Sequence, residues 1–305
     1  MLTFVICTYN RADLLPKLLL SLAEQNLPDS IETEILFVDN NSQDETSAYL
    51  KANLSALPMP ARVVHEPKQG LSHARNRGWM EAGGDYVGYL DDDARPLPTW
   101  IAAYATALAH WRPEGAGGPV LPHSEARCPV WLNLQSPDFA EYVGHLDITK
   151  ETRWLTPNEG VFGGNMVFRR EVLEQVGGFD PRLGVNGKRR FGGEETALQT
   201  RVRESGGQIL YIPEAAVHHL ISARHRSLRY YLRHTYERGM SVAQIEGAKP
   251  LRWTTRQAIS HSIRSLAALL RGNMACAAAD LGRSSGYLGQ IHSSRILVRE
   301  AGRQQ

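Results

Sequence analysis

The chain has 305 residues, of which 42% are hydrophobic and 22% are charged, and its formal net charge is +2. This composition is typical of a globular protein with a sizeable core and excludes an intrinsically disordered chain. The three cysteines, Cys7, Cys128 and Cys276, show neither CxxC nor Cys/His spacing, which argues against a disulfide framework or a structural zinc site and favours a reducing compartment. The sequence also predicts no secretory leader and no membrane span, because the N-terminus reads as a strand and every long apolar window carries charge.

The first hundred residues alternate between short apolar runs and helical patterns, which is typical of β-α-β units. Strands are predicted at 2–7, 34–38, 62–65 and 85–90, and helices at 14–25, 44–50, 71–82 and 99–111. Parallel strands end at the same edge of a sheet, where α/β proteins bind their ligands. The polar clusters at 7–11, 39–42 and 91–93 are therefore predicted to converge on one site.

The pattern after residue 112 is less regular. Two segments rich in Gly and Pro, 115–122 and 128–147, predict loops with a strand or two. "VFGGNMVFRREVLEQVGGFD" then predicts a strand, a helix and a turn, and "GGEETALQTRVRESGG" predicts a helix with acidic residues in its first turn. "QILYIPEAAVHH" predicts a last strand, amphipathic helices follow at 227–244 and 254–271, and a further helix is predicted at 273–299.

The charge is divided unevenly along the chain. Residues 220–305 contain 14 basic and 4 acidic side chains, a net charge of +10, whereas the rest of the chain carries −8. This division predicts an acidic catalytic body at 1–220 and a basic helical extension at 221–305. Arginines interleaved with Tyr230, Tyr231 and Tyr236 predict an interfacial helix on an anionic membrane; a solvated, Arg-rich surface is the alternative. No nucleic-acid-binding motif accompanies them, so no nucleic acid partner is expected.

Three consecutive aspartates, 91–93, end the fourth predicted strand. Adjacent carboxylates repel one another unless a cation neutralises them. A hard divalent cation such as Mg²⁺ or Mn²⁺ takes oxygen ligands and completes its shell with substrate phosphates. The triplet therefore predicts a metal and phosphate site, with a solvated loop or a helix cap as the alternative.

Seven segments together resemble the family 2 glycosyltransferases. They are "FVICTYNR", "LFVDNNSQDET", "GLSHARNRG", "GDYVGYLDDDARP", "GGNMVFRREVLEQVGGFD", "GGEETALQTRVRESG" and "IPEAAVHH", in the family's order across 1–220. The resemblance implies the α/β GT-A fold, with a Rossmann-like, mainly parallel central sheet flanked by helices. It also implies a nucleotide-sugar donor, most commonly a UDP-sugar, a divalent metal, Mn²⁺ or Mg²⁺, and inversion at the anomeric carbon.

The resemblance also assigns residues to the donor and the metal. Those expected around the donor are Thr8, Tyr9, Asn10, Arg11, Asp39, Arg75, Asp91, Asp92, Gly163, Gly164 and Asn165. Asp93 is the first choice for direct metal coordination, joined by Asp91 and by His219, with His218 in a slot often held by an aromatic residue. For these residues the alternatives are structural roles in turns, helix caps or packing.

The resemblance places the residues that act on the acceptor hydroxyl in "GGEET". Glu195 takes the position of the general base, where the family commonly has Asp, and Glu194 is expected to hold the acceptor or donor sugar; capping of a helix is the alternative. The resemblance implies a glycan or lipid-linked acceptor and a cytoplasmic enzyme, peripheral on the inner face of a bacterial membrane. Two hypotheses compete with this one: an inactive binding module and a sugar nucleotidyltransferase. The absence of glycine in "CTYNR" argues against the nucleotidyltransferase, which would be expected to have a Gly-rich phosphate-binding loop after the first strand.

Overall fold

The computed structural model describes residues 1–28, 31–186, 189–245 and 249–301. It divides the chain into two units. The first consists of Met1–Leu121 and Leu146–Leu220, and the second of Pro122–His145 and Ile221–Gln305.

Eight strands form the central sheet of the first unit, in the spatial order β3-β2-β1-β4-β9-β6-β12-β8. They are β1 (Leu2–Thr8), β2 (Thr33–Asp39), β3 (Ala61–His65), β4 (Tyr86–Asp91), β6 (Gly115–Gly117), β8 (Arg153–Trp154), β9 (Asn165–Arg169) and β12 (Ile209–Tyr211). β1 pairs in parallel with β2 and β4, and β2 pairs in parallel with β3, so four carboxyl ends share one edge. β9 runs antiparallel between β4 and β6. The predicted α/β architecture is confirmed, and the sheet is mixed beyond β4.

Both faces of this sheet are covered, because alternate side chains of each strand point to opposite sides. Phe4 and Ile6 of β1 enter one buried cluster, and Val5 enters the other. The helices that contribute to the first cluster are α1 (Leu15–Ala23), α2 (Thr46–Asn53) and α4 (Trp100–Trp111), and those that contribute to the second are α3 (Leu71–Glu81), α6 (Arg170–Val176) and α7 (Glu194–Glu204). The apolar runs predicted as buried strands are thus held between two helical layers.

Shorter strands complete the first unit. β5 (Ala94–Pro96) follows β4 after two residues and pairs antiparallel with β13 (Val217–Leu220). β10 (Gly184–Asn186) and β11 (Arg189–Phe191) form a separate antiparallel pair just before α7. The chain crosses from the first unit into the second within β7 (Val120–His123).

The second unit is helical and has a core of its own. Its helices are α5 (Ala140–Val143), α8 (Leu228–Ile245), α9 (Leu251–Leu270) and α10 (Met274–Ala301). Phe139, Tyr142 and Tyr231 form an aromatic cluster that packs with small residues of α10. Tyr231, one of the three tyrosines of the predicted interfacial helix, is only 3% exposed and belongs to this core, and membrane binding by α8 stays a prediction. In the described part of the chain, no helix is long and apolar enough to cross a bilayer.

Candidate active site

The loops that follow β1 and β2 are joined by hydrogen bonds. The backbone N–H of Asn10 donates to Ser42 Oγ (2.9 Å), and the N–H of Gln43 donates to Asn10 Oδ1 (2.7 Å). Asn10 adopts a left-handed conformation with φ of 51°, which asparagine tolerates better than most residues. The convergence of clusters 7–11 and 39–42 was predicted, but no local pattern indicated that Asn10 pairs with Ser42 and Gln43, because these residues lie more than 30 positions from it.

Four of the predicted donor-binding residues lie around these two loops. Asp39 is buried at the end of β2, and its Oδ1 accepts a hydrogen bond from the N–H of Ser42 (3.0 Å). Tyr9 is 41% exposed, and the N–H of Arg11 donates to Thr46 Oγ1 (2.9 Å). The loops therefore form a fixed polar wall at the edge where the parallel strands end, as the strand pattern predicted.

The three aspartates after β4 point to different partners. Asp92 is buried, accepts a hydrogen bond from Thr8 Oγ1 (2.8 Å) and lies 3.8 Å from Arg11 Nε. Burial, followed by the charge of Asp93, raises the pKa of Asp92 to about 7. Asp91 lies beside Arg75, with its Oδ1 3.5 Å from Nη2. The repulsion expected in this triplet is thus reduced by directing each carboxylate toward a different neighbour.

Asp93 and His219 come together as predicted for a metal site. The pairing of β13 with β5 sets His219 opposite Ala94, and the N–H of Leu220 donates to the carbonyl of Asp93 (3.0 Å). His219 Nε2 consequently lies 3.7 Å from Asp93 Oδ1, and both side chains are partly exposed.

This pair fits a divalent cation that also binds phosphate. No group of three or more His, Cys, Asp or Glu side chains converges anywhere among the described residues. Mg²⁺ and Mn²⁺ commonly use one or two protein ligands and complete their shell with phosphate oxygens and water. A carboxylate oxygen is a ligand that suits both Mg²⁺ and Mn²⁺. Asp92 is already engaged with Thr8, which leaves Asp93 as the better ligand of the two.

Arg75 joins the aspartate triplet to the glutamates of α7. Its guanidinium is 3% exposed, donates from Nη1 to Glu194 Oε1 (2.5 Å) and reaches Asp91 through Nη2. Burial disfavours the cation, yet the charges of Glu194 and Asp91 raise the pKa of Arg75 above its usual value. Arg75 thereby holds together two acidic segments that lie more than 100 residues apart in the chain.

The two adjacent glutamates of α7 occupy different environments. Glu194 is 5% exposed; its Oε1 accepts from Arg75, and its buried Oε2 has no hydrogen-bond partner. Burial raises the pKa of Glu194, and the charge of Arg75 opposes that shift. Glu195 is half-buried. Glu195 is therefore the carboxylate that a ligand can reach more easily.

The glycines before β9 are required by close approach. A Cβ atom at Gly163 would lie 2.5 Å from Arg75 Nη2, and one at Gly164 would lie 2.4 Å from Asp91 Oδ2. Any other residue at either position would displace these side chains. The two glycines pack against the charged cluster itself, at the place where the sequence predicted a wall of the site.

Asn165 has a structural position. It is fully buried, its Oδ1 accepts from Trp100 Nε1 (2.8 Å) and Tyr104 OH (2.9 Å), and its Nδ2 donates to the carbonyls of Pro119 (3.0 Å) and Ala215 (2.7 Å). All of its hydrogen-bonding capacity is used within the protein. The expectation that the Asn165 side chain contacts the donor is not supported by this position.

Comparison with known families gives two matches. The model of "Glycosyl transferase family 2" matches residues 3–177, and the model of "N-terminal domain of galactosyltransferase" matches residues 144–226. The first match contains the loops that follow β1 and β2, the aspartate triplet and the Gly-Gly segment. The second contains the glutamates of α7 and His219.

Similar proteins include the succinoglycan biosynthesis protein ExoM of Rhizobium meliloti, 26% identical over 80% of this chain and 74% of that protein. A glucosyl-dolichyl phosphate glucuronosyltransferase of Haloferax volcanii is 28% identical over 52% of this chain. The chain spans only 50% of the length of that second relative. Among solved structures, a mannosyltransferase of Pyrobaculum calidifontis in complex with GDP-Man and Mn²⁺ aligns over 99% of this chain and 79% of its own, with 19% identity and a TM-score of 0.57. At that identity the structural likeness shows a shared fold.

Proposed function

The chain belongs to the family 2 glycosyltransferases, and from that premise we propose that it is an inverting, metal-dependent enzyme that uses a UDP-sugar. It has the GT-A fold and transfers a sugar from a nucleotide sugar. The observation that carries the proposal is the contact of Arg75 with both Asp91 and Glu194. This contact brings the expected donor-phosphate side and the expected base side of the reaction into one cluster.

The donor would lie along the polar edge formed by the loops after β1 and β2. Asp39 offers a carboxylate to the base or the ribose, and the loop containing Tyr9 borders the same edge. A divalent cation held by Asp93 and His219 would bind the diphosphate and neutralise the charge that develops as it leaves. A structural neighbour from Pyrobaculum calidifontis, in complex with GDP-Man and Mn²⁺, supports the proposal of a divalent cation and a nucleotide-sugar donor.

Glu195 is proposed as the general base. Its carboxylate would take the proton of the acceptor hydroxyl while that oxygen bonds to the anomeric carbon and the bond from that carbon to the diphosphate oxygen breaks. Attack from the face opposite the diphosphate inverts the configuration. Glu194 is buried in its ion pair with Arg75, so its proposed contribution is to fix the start of α7 and with it the position of Glu195.

The proposed acceptor is a hydroxyl of a glycan or of a lipid-linked saccharide. ExoM is a succinoglycan biosynthesis protein, and the Haloferax relative acts on a glucosyl-dolichyl phosphate, as their names state. Both names are consistent with polysaccharide or lipid-linked glycan assembly. We propose a bacterial enzyme that works in the cytoplasm, peripheral on the inner face of the membrane.

The donor is tested by thermal shift with UDP, GDP, dTDP and their sugars, each with and without Mn²⁺. A ligand that binds only the folded protein stabilises it by about 2.7 kcal/mol at one hundred times its Kd, which raises Tm by several degrees. We expect the largest shift for a UDP-sugar with Mn²⁺ and a smaller shift when EDTA is added. Asp93→Asn should lose the Mn²⁺-dependent part, whereas Glu174→Gln, an exposed change on α6, should keep it.

A shift of equal size for every nucleotide, or one that is the same in EDTA, would contradict the proposed donor site. If a GDP-sugar gives the largest shift, GDP replaces UDP as the proposed donor nucleotide and the rest of the proposal is unchanged.

The base is tested by Glu195→Gln, which keeps the size of the side chain and removes its basicity. We expect kcat to fall by about 10²-fold to 10⁴-fold, as is usual for loss of a general base, while the nucleotide-induced shift in Tm is retained. Glu204→Gln, at the other end of α7, serves as the matched control and should leave kcat unchanged. Transfer by Glu195→Gln within tenfold of the wild type would remove Glu195 from this role.

A further inference from the structure

Helix α9 presents its large apolar side chains away from the helix on which it packs. Its buried positions are small or polar: Thr254, Ala258, His261 and Ser265. Its large aliphatic residues are exposed: Ile259 by 56%, Ile263 by 63%, Leu266 by 59% and Leu270 by 82%. This arrangement is the reverse of the usual amphipathic helix, whose apolar stripe faces the core.

Hydrogen bonds to α10 fix this orientation. His261 Nδ1 lies 2.8 Å from Asp280 Oδ1, Ser265 Oγ donates to the carbonyl of Ala277 (2.8 Å), and Ser284 Oγ donates to the carbonyl of Ala258 (2.9 Å). Rotating α9 to bury its isoleucines would break these bonds and turn polar groups outward. The exposed apolar face therefore follows from how α9 is seated on α10.

The exposed residues form one line, which we call the α9 stripe: Arg252, Arg256, Ile259, Ile263, Leu266 and Leu270. Their spacing alternates between four and three residues, so they run along one side of the helix for about 27 Å at 1.5 Å per residue. Leu251, Arg252, Thr255, Arg256 and Ile259 also line a shallow groove of about 480 Å³. The stripe thus begins with two cations and continues with four aliphatic side chains.

The charge around the stripe indicates what covers it. The sequence contains no acidic residue between Glu246 and Asp280, and Arg264 and Arg271 are exposed on the flank of α9. Two copies packed through this face would bring arginines together without acidic partners, which is unfavourable. An anionic lipid surface, in contrast, accepts aliphatic side chains below its headgroups and arginines at its phosphates.

We propose that the α9 stripe is a binding surface for an anionic bilayer, with α9 lying parallel to the membrane plane. The aliphatic residues would enter the boundary between headgroups and acyl chains, and Arg252 and Arg256 would contact lipid phosphates. This inference goes beyond the transfer reaction. It is tested without a donor or an acceptor, so its failure and the failure of the proposed enzyme are separate results.

The test is flotation of the full chain with phosphatidylcholine vesicles, with and without phosphatidylglycerol. We expect binding to the anionic vesicles and little to the neutral ones. Ile263→Gln/Leu266→Gln should lower the partition coefficient at least about tenfold, because the variant inserts two fewer aliphatic side chains into the bilayer. Arg252→Gln/Arg256→Gln should lower it by about fivefold for each arginine and weaken the preference for anionic lipid, to which Arg264 and Arg271 still contribute.

Leu20→Gln/Met80→Gln is the matched control. Both side chains are exposed to a similar degree, 60% and 58%, and lie in the first unit, so binding should not change. Circular dichroism melts should be alike for all variants, since each changed residue is exposed.

The proposal is overturned if the wild type binds neutral and anionic vesicles equally or not at all, or if Ile263→Gln/Leu266→Gln floats like the wild type. It is also overturned if the wild type is a dimer in solution that this variant dissociates, because the stripe would then join two copies.

Discussion

Arg75 is the residue through which the candidate site is assembled. Its side chain is 3% exposed and forms an ion pair with the side chain of Glu194, which is 5% exposed, so both charged groups are buried. A buried ion pair is costly to form, and its attraction and hydrogen bonds offset that cost only while both partners are present. Arg75 also lies 5.4 Å from the centroid of the Phe179 ring, which restricts the guanidinium further. The sequence resemblance assigned Arg75 to the donor, and that contact stays a prediction.

Removing one member of this pair should destabilise the first unit strongly. Arg75→Met is expected to cost about 3–5 kcal/mol of unfolding free energy, because Glu194 is left as an uncompensated buried charge. Arg75→Met/Glu194→Gln should recover part of that loss, since neither charge then remains. Urea denaturation of the wild type, both single variants and the double variant measures the coupling between the two residues.

The matched control for this cycle is Arg182→Gln. Arg182 pairs with Asp180 at 2.7 Å but is 89% exposed, so its loss should cost less than about 1 kcal/mol. Equal losses for Arg75→Met and Arg182→Gln would show that the buried position of Arg75 adds nothing to stability.

Individual site residues differ in how far the sequence could predict them. Asp39, the aspartate triplet and the glutamates of α7 stand out because each is a polar residue directly after an apolar run or at a helix start. The pairing of Arg75 with Glu194 could not be predicted, since the two residues are 119 positions apart and each alone reads as an ordinary helical charge. Asn165 was assigned to the donor by the family resemblance, and only the three-dimensional packing reveals its four internal partners.

At the scale of elements, the first four strands were predicted to within one residue at either end. Each is a short apolar run followed by polar residues, which is a strong strand signal in a sequence, and β1, β2 and β4 are buried on both faces. The direction of a strand could not be predicted in this way, because an apolar run has the same pattern in a parallel and an antiparallel strand. The position of β9 between β4 and β6 therefore lay outside what the pattern could predict.

The pairing of β5 with β13 was also not foreseen. β5 has only three residues and ends at Pro96, so its sequence gives no strand signal. The expected contact of Asp93 with His219 depends on this pair, whose register sets their backbones side by side. For α8 and α9 the sequence predicted helices correctly. It could not predict which face of α9 is buried, because the residues that α9 buries are small or polar and its large aliphatic residues are exposed.

At the scale of the whole molecule, the second unit is built from two separate parts of the chain. The sequence divides at residue 220, where the charge balance changes, and the structure also places a boundary there. The structure adds Pro122–His145 to the second unit, a segment without a regular pattern that would predict its partners. Phe139, Tyr142 and Val143 of that segment are buried with Ile221 and Tyr231.

This division predicts how a shortened protein behaves. A protein ending at residue 220 would keep Phe139, Tyr142 and Val143 but lose the helices that bury them, so these side chains would meet water. We expect such a protein to bind the dye ANS and to aggregate, because an exposed apolar cluster promotes association. Size-exclusion chromatography and ANS fluorescence measure both effects.

The same protein should be rescued by removing the segment that lost its partners. Val120 and Leu146, which flank the segment, are already paired in an antiparallel bridge with two backbone hydrogen bonds of 2.8 Å, so a Gly-Ser-Gly-Ser linker can replace 122–145. The resulting protein retains both buried clusters of the central sheet, and we expect it to elute as a monomer, bind little ANS and melt cooperatively by circular dichroism. If it aggregates as readily as the protein that keeps 122–145, the first unit depends on the helical unit for more than the burial of this segment.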